Sequence, residues 1–181
     1  MEHMAVAIAL SGPMLERARD AWTLLEQEFG VRFISSRSPF PHVALAGGLL
    51  PDPAPLAAAV RNVAARTPGF TMRGNGLGVF VAETPVLHVR WLLSPELSGL
   101  YHGLVRALES VWHQPSASSQ PDRWLPKTTL AYMDLDYRRL SGVLESLRDY
   151  DFTAAMAVSE VCLVRITDQG ESLFERFPLQ P

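Results

Sequence analysis

Residues 42–80 and 127–163 carry the same patterns in the same order: a short strand-like run, an amphipathic helical stretch, then a second strand-like run. "HVALAGGL" lies against "KTTLAYMDL", "GFTM" against "DFTA", and "GLGVF" against "EVCLV". Self-similarity of this kind points to two pseudo-symmetric lobes built on one plan.

The rest of the chain fits around the repeat. In "MAVAIAL", Val6, Ile8 and Leu10 alternate with alanines, so one face of a strand packs a core and the other stays open to line a cleft. From Gly12 to Gly30, a proline in the first turn, apolar residues at helical spacing (Leu15, Ala18, Trp22, Leu25, Phe29) and a terminal glycine predict a helix. "PDPAPLAAAVRNVAAR", "SPELSGLYHGLVRALESVW" and "DYRRLSGVLESLRD" predict three more. Strands are expected at "GFTMRGNGLGVFVA" (or a hairpin broken at "GNG"), "VLHVRWLL", "DFTAAMAVSEVCLVRI" and "SLFERFPL", the last two joined by a turn at "TDQGE". "HQPSASSQPD" reads as loop throughout. The class is α+β.

Composition sets outer bounds. The chain has 181 residues, 48% of them hydrophobic and 19% charged, with a formal net charge of -3, as in globular domains. That balance implies neither a membrane surface nor duplex DNA as a partner. The acidic N-terminus and its short apolar run predict no signal peptide or span, so a cytoplasmic location is the default. The single cysteine, Cys162, sits in "VCLVRI" and is expected to be a buried thiol. His3, His102 and His113 show no ligand-like spacing, so no metal site is expected.

Residues two apart on a strand share a face, so His42 goes with Ala44 and Lys127 with Thr129. Pro41-His42-Val43-Ala44-Leu45 and Pro126-Lys127-Thr128-Thr129-Leu130 thus form two related motifs, each followed by a helix. In this pairing the chain resembles the 2H phosphoesterase superfamily, in the branch of 2'-5' RNA ligase-like and cyclic phosphodiesterase-like proteins. That resemblance spans nearly the whole chain in element order. It implies one bilobal domain over residues 1–181, with two pseudo-symmetric antiparallel sheets, helices on the outside and a central cleft. It also implies two His-x-Thr/Ser-x motifs facing each other across that cleft, with no metal or organic cofactor.

In the family, one imidazole takes a proton, the other donates one to the leaving oxygen of a cyclic or 2'-5' phosphodiester, and the hydroxyls hold phosphate oxygens. Here each motif is half intact: Ala44 lacks the hydroxyl and Lys127 replaces the imidazole. Lysine, the only one in the chain, makes a poor base, because neutralising it at pH 7 costs about 4.6 kcal/mol at its ordinary pKa. As an ammonium it suits binding a phosphate or protonating a leaving alkoxide. A missing hydroxyl on a charged phosphate costs about 1.5–3 kcal/mol.

The resemblance therefore implies His42 as general acid or base, Lys127 as phosphate-binding electrophile or acid and Thr129 as phosphate ligand. His88 and Arg90 share a strand face; either they line the cleft, where His88 would stand in for the missing imidazole, or they form a solvated face. Phe40 and Tyr132 flank the motifs and either stack on a base or simply pack. The partner implied is an RNA end or a small cyclic or oligonucleotide ligand, and a monomer is favoured. Altered or reduced catalysis and pure binding without an acid–base pair stay open as alternatives.

Overall fold

The computed structural model describes residues 1–181. In chain order the elements are β1 (Glu2–Ala9), α1 (Gly12–Phe29), β2 (His42–Leu50), α2 (Pro53–Ala64), β3 (Phe70–Phe80), β4 (Val86–Trp91), α3 (Pro95–Leu108), β5 (Gln114–Pro115), β6 (Lys127–Ala131), α4 (Tyr137–Ser146), β7 (Ala155–Val158), β8 (Glu160–Thr167) and β9 (Gly170–Pro178). Local chemistry sets the helix ends. Asp52, Ser94 and Asp136 cap α2, α3 and α4 by accepting from Ala54 N, Leu97 N and Arg139 N. Gly30 takes the left-handed conformation that closes α1.

The strands form two antiparallel sheets, a five-stranded one in the order β5-β2-β1-β8-β9 and a four-stranded one in the order β6-β4-β3-β7. The repeat becomes an exchange: each half begins its own sheet but sends a later strand to the other. Thus β3 leaves β1 and β2 to pair with β4, and β8 leaves β4 and β6 to pair with β1. α2 and α3 pack together behind the five-stranded sheet, while α1 and α4 pack together behind β6 and β7. A continuous apolar cluster runs through both layers, from Val6, Ile8 and Leu45 to Leu87, Val89 and Leu130.

Several expectations need correction. β3 runs through "GNG" as one strand: Gly76 has a φ of 73° and the register shifts between Gly74 and Leu77, a bulge instead of a hairpin turn. The alanine face of β1 is not open, because Phe40 and Ala7 pack together in a small buried cluster with Cys162 and Val164. Gln114–Pro115 pairs with Gly48 and Leu49 at the edge of β2, within a stretch expected to be loop throughout. β4 ends at Trp91, so Leu93 lies outside the strand and is exposed. The thiol of Cys162 is buried and donates to Ala7 O at 3.3 Å; burial pushes its pKa up to about 12.

Candidate functional site

β2 and β6 face one another where the two sheets meet. Alternation sorts their side chains. Val43, Leu45, Thr128 and Leu130 point into the core, where Thr128 accepts from Trp91 Nε1 at 3.0 Å. His42, Ala44, Lys127 and Thr129 point the other way and together line a cavity of about 300 Å³, at the small end of the range for ligand pockets. Trp124, stacked on Tyr101 with ring centres 3.8 Å apart, donates from Nε1 to Ala44 O at 2.9 Å. The segment that leads into β6 is thereby fastened to the backbone of β2.

Each of these polar side chains has a defined environment. His42 Nδ1 lies 3.1 Å from Phe40 O, an acceptor only, so Nδ1 carries a proton and Nε2 is left to exchange one. Beside it, Ser38 Oγ donates to Glu171 Oε2 at 2.6 Å, and that carboxylate oxygen is 3.9 Å from His42 Nδ1. Across the cavity, Lys127 Nζ donates to Thr129 Oγ1 at 3.0 Å, which leaves the threonine hydroxyl proton free for another acceptor. Burial lowers the pKa of Lys127. Ala44 presents a bare, exposed methyl.

The roof of the cavity is the segment between α1 and β2, contributing Phe33, Ile34, Arg37 and Ser38, with Trp22 behind it. At one end Asp134 Oδ2 accepts from Arg32 N and Phe33 N, both at 2.7 Å, and Arg139 holds Asp134 O and Phe29 O. At the other end the segment clips to the β8–β9 turn: Arg37 donates to Asp168 O, and Glu171 N donates to Arg37 O at 2.6 Å. Gly170 makes this fit possible, since its φ is 133° and a Cβ there would fall 2.6 Å from Arg37 O.

Of the residues singled out in the sequence, His42, Lys127 and Thr129 meet at the cavity and four do not line it. Phe40 is only 8% exposed and presents an edge to His42, so it is packing and not a platform for a base. His88 shares the Lys127 and Thr129 side of the sheet, directly opposite Thr129, but is 2% exposed beneath the ring of Phe80. It does not stand in the cavity as a second imidazole. Burial, with Lys127 and Arg90 nearby, lowers its pKa against the opposing hydrogen bond to Val86 O. Arg90, opposite Lys127, is exposed beside the cavity; Tyr132 is also outside it, edge-on to Phe33. Residues the motifs did not reveal are Trp22, Phe33, Arg37, Ser38 and Glu171; the only cue to the roof was the turn-rich "SSRSPFPH" before the first motif. No three His, Cys, Asp or Glu side chains converge in the way a metal site needs.

Comparison with known proteins agrees with this architecture. The chain overlays on the crystal structure of TT0787 of Thermus thermophilus with a TM-score of 0.70 at 18% identity, covering 98% of each chain. It overlays on E. coli LigT complexed with 3'-AMP with a TM-score of 0.69 at 18% identity, covering 99% of each. A crystal structure described as a phosphoesterase aligns over 100% of each chain, with a TM-score of 0.62 and 15% identity. No curated protein matches the sequence significantly. The model of the 2'-5' RNA ligase superfamily matches residues 8–170, most of the chain. Two antiparallel sheets with four helices match the LigT-like fold, and the chain belongs to the 2'-5' RNA ligase superfamily of 2H phosphoesterases.

Proposed function

We propose that the cavity engages a phosphodiester, cyclic phosphate or terminal phosphate of RNA or a small nucleotide, with catalysis reduced or altered by the two motif changes. The observation that carries this reading is that His42, Lys127 and Thr129 line the same cavity. His42 Nε2 is the acid or base, since imidazole exchanges protons near neutral pH. Lys127 supplies positive charge to the phosphate, and Thr129 donates its free hydroxyl proton to a phosphate oxygen. The crystal structure of LigT with 3'-AMP names a ligand of the chemical class that such a cavity suits.

Lys127 stands in place of the second imidazole, the nearby His88 does not line the cavity, and Ala44 gives no hydroxyl, so the acid–base pair of the family is incomplete. This favours a second reading in which the cleft binds an RNA end or nucleotide without turning it over. One assay separates the two. Nucleoside 2',3'-cyclic phosphates and 2'-5'-linked dinucleotides are offered to the wild type, to His42→Ala and to Ala44→Thr/Lys127→His. Turnover by the wild type that is lost in His42→Ala supports catalysis. Activity only in the double variant supports binding on a disabled scaffold. Inactivity of all three, with no phosphate-dependent binding by calorimetry, overturns both readings.

A further inference from the structure

One side of the four-stranded sheet carries groups that the chemistry above leaves unused. Register places Arg90 opposite Lys127, His88 opposite Thr129, and Gly78 opposite His88. Directly opposed residues project to the same side, so Arg90, His88 and Gly78 extend the Lys127–Thr129 wall away from the cavity, and Phe80 follows two residues after Gly78.

Gly78 shapes this surface. A Cβ there would fall 2.6 Å from His88 Nε2 and 2.9 Å from Arg90 Cδ, so the arginine stem lies across β3 in space that only glycine leaves. Arg90 is exposed and takes part in none of the chain's ion pairs. The Phe80 ring rests on the buried His88 ring, with centres 4.3 Å apart, and is 38% exposed. Lys127 Nζ stands 6.0 Å from its centre. A partly exposed aromatic ring backed by an imidazole, with an ammonium over it and an unpaired guanidinium beside it, is a combination that suits single-stranded nucleic acid.

We infer that this face is a second nucleotide subsite, with Phe80 stacking on a base and Arg90 holding the phosphate adjacent to the one in the cavity. The ligand is then a single-stranded oligonucleotide end and not a mononucleotide. The inference rests on the phosphate reading of the cavity. Spacing favours two phosphates over one: β6, β4 and β3 are successive strands, so a charge carried over β4 or β3 stands about 5–10 Å from Lys127. Stacking on Phe80 tolerates any base, so length and not sequence should govern affinity.

The test is calorimetric titration of the full chain with inorganic phosphate, adenosine 3'-phosphate, ApAp and ApApAp at two salt concentrations. ApAp is expected to bind about tenfold tighter than adenosine 3'-phosphate, with ApApAp adding little. Arg90→Gln and Phe80→Leu, the latter keeping an apolar cover on His88, should each remove most of that gain. Adenosine 3'-phosphate should bind both variants within about twofold of the wild type. Arg90→Gln should also flatten the log–log salt dependence for ApAp by about 0.7. If ApAp binds no tighter than adenosine 3'-phosphate, or its advantage survives in both variants, the subsite is wrong while the cavity reading stands. If neither phosphate nor any nucleotide binds, the cavity reading fails and the subsite falls with it.

Discussion

Lys127 occupies a place where burial opposes its charge, and the effect on stability has a definite sign. Its pKa is lowered in the folded chain, so between that value and about 10.4 the unfolded chain binds the proton more tightly and stability rises with pH. Lys127→Met should therefore be more stable than the wild type at pH 7, with the advantage shrinking as pH approaches 10.5 in urea unfolding; a constant advantage across that range would contradict the account. His88 has the same sign at lower pH. Its pKa is also lowered, so it penalises the fold as pH drops below about 6.5. His88→Asn should lose less stability than the wild type between pH 7 and pH 5, measured the same way. Alternation along β2 and β6 made the directions of His42, Ala44, Lys127 and Thr129 legible in the sequence. It could not give depth. His88 lies on the side that alternation indicates, yet Phe80 covers it, and Phe40 precedes its strand and so has no face to read.

At the scale of elements, the cavity depends on a roof segment pinned at both ends. Asp134, just past β6, holds its start, and the β8–β9 turn holds its finish. Gly170→Ala would force a Cβ against Arg37 O and impose a φ that side chains avoid. We expect a loss of about 1–3 kcal/mol in urea unfolding and weaker phosphate binding by calorimetry; unchanged affinity would show that the roof does not shape the site. Helices were legible because periodicity, prolines and terminal glycines mark them; the strand expected over 151–166 instead divides at Ser159 into β7 and β8, which join different sheets. The roof contacts were not legible, because Ser38 and Glu171 meet across 133 residues with no periodic pattern to join them. β5 escaped for a related reason: two paired residues are too few to show alternation.

For the molecule as a whole, strand exchange makes the two halves depend on each other. The first half without β8 leaves an edge of β1 unpaired, and the second without β3 leaves an edge of β4 unpaired. Fragments 1–83 and 84–181, made separately, should each lack a cooperative urea transition, and mixing them should restore the circular dichroism of the intact chain. A cooperative transition in either fragment alone would show that one half folds by itself. The sequence repeat was visible, but the exchange was not, because a strand pattern does not say which sheet the strand joins. No helix is long and apolar enough to cross a membrane.

The placement of Lys127 has a practical consequence as well. A protease that cleaves only after lysine finds one scissile bond in the chain, Lys127–Thr128, and that bond lies inside β6, paired to β4. Cutting requires this strand to detach, so the digestion rate is a clock for the opening of one wall of the cleft. A ligand seated against Lys127 and Thr129 should slow the clock in proportion to its occupancy, and the two fragments, 127 and 54 residues long, are readily told apart by mass.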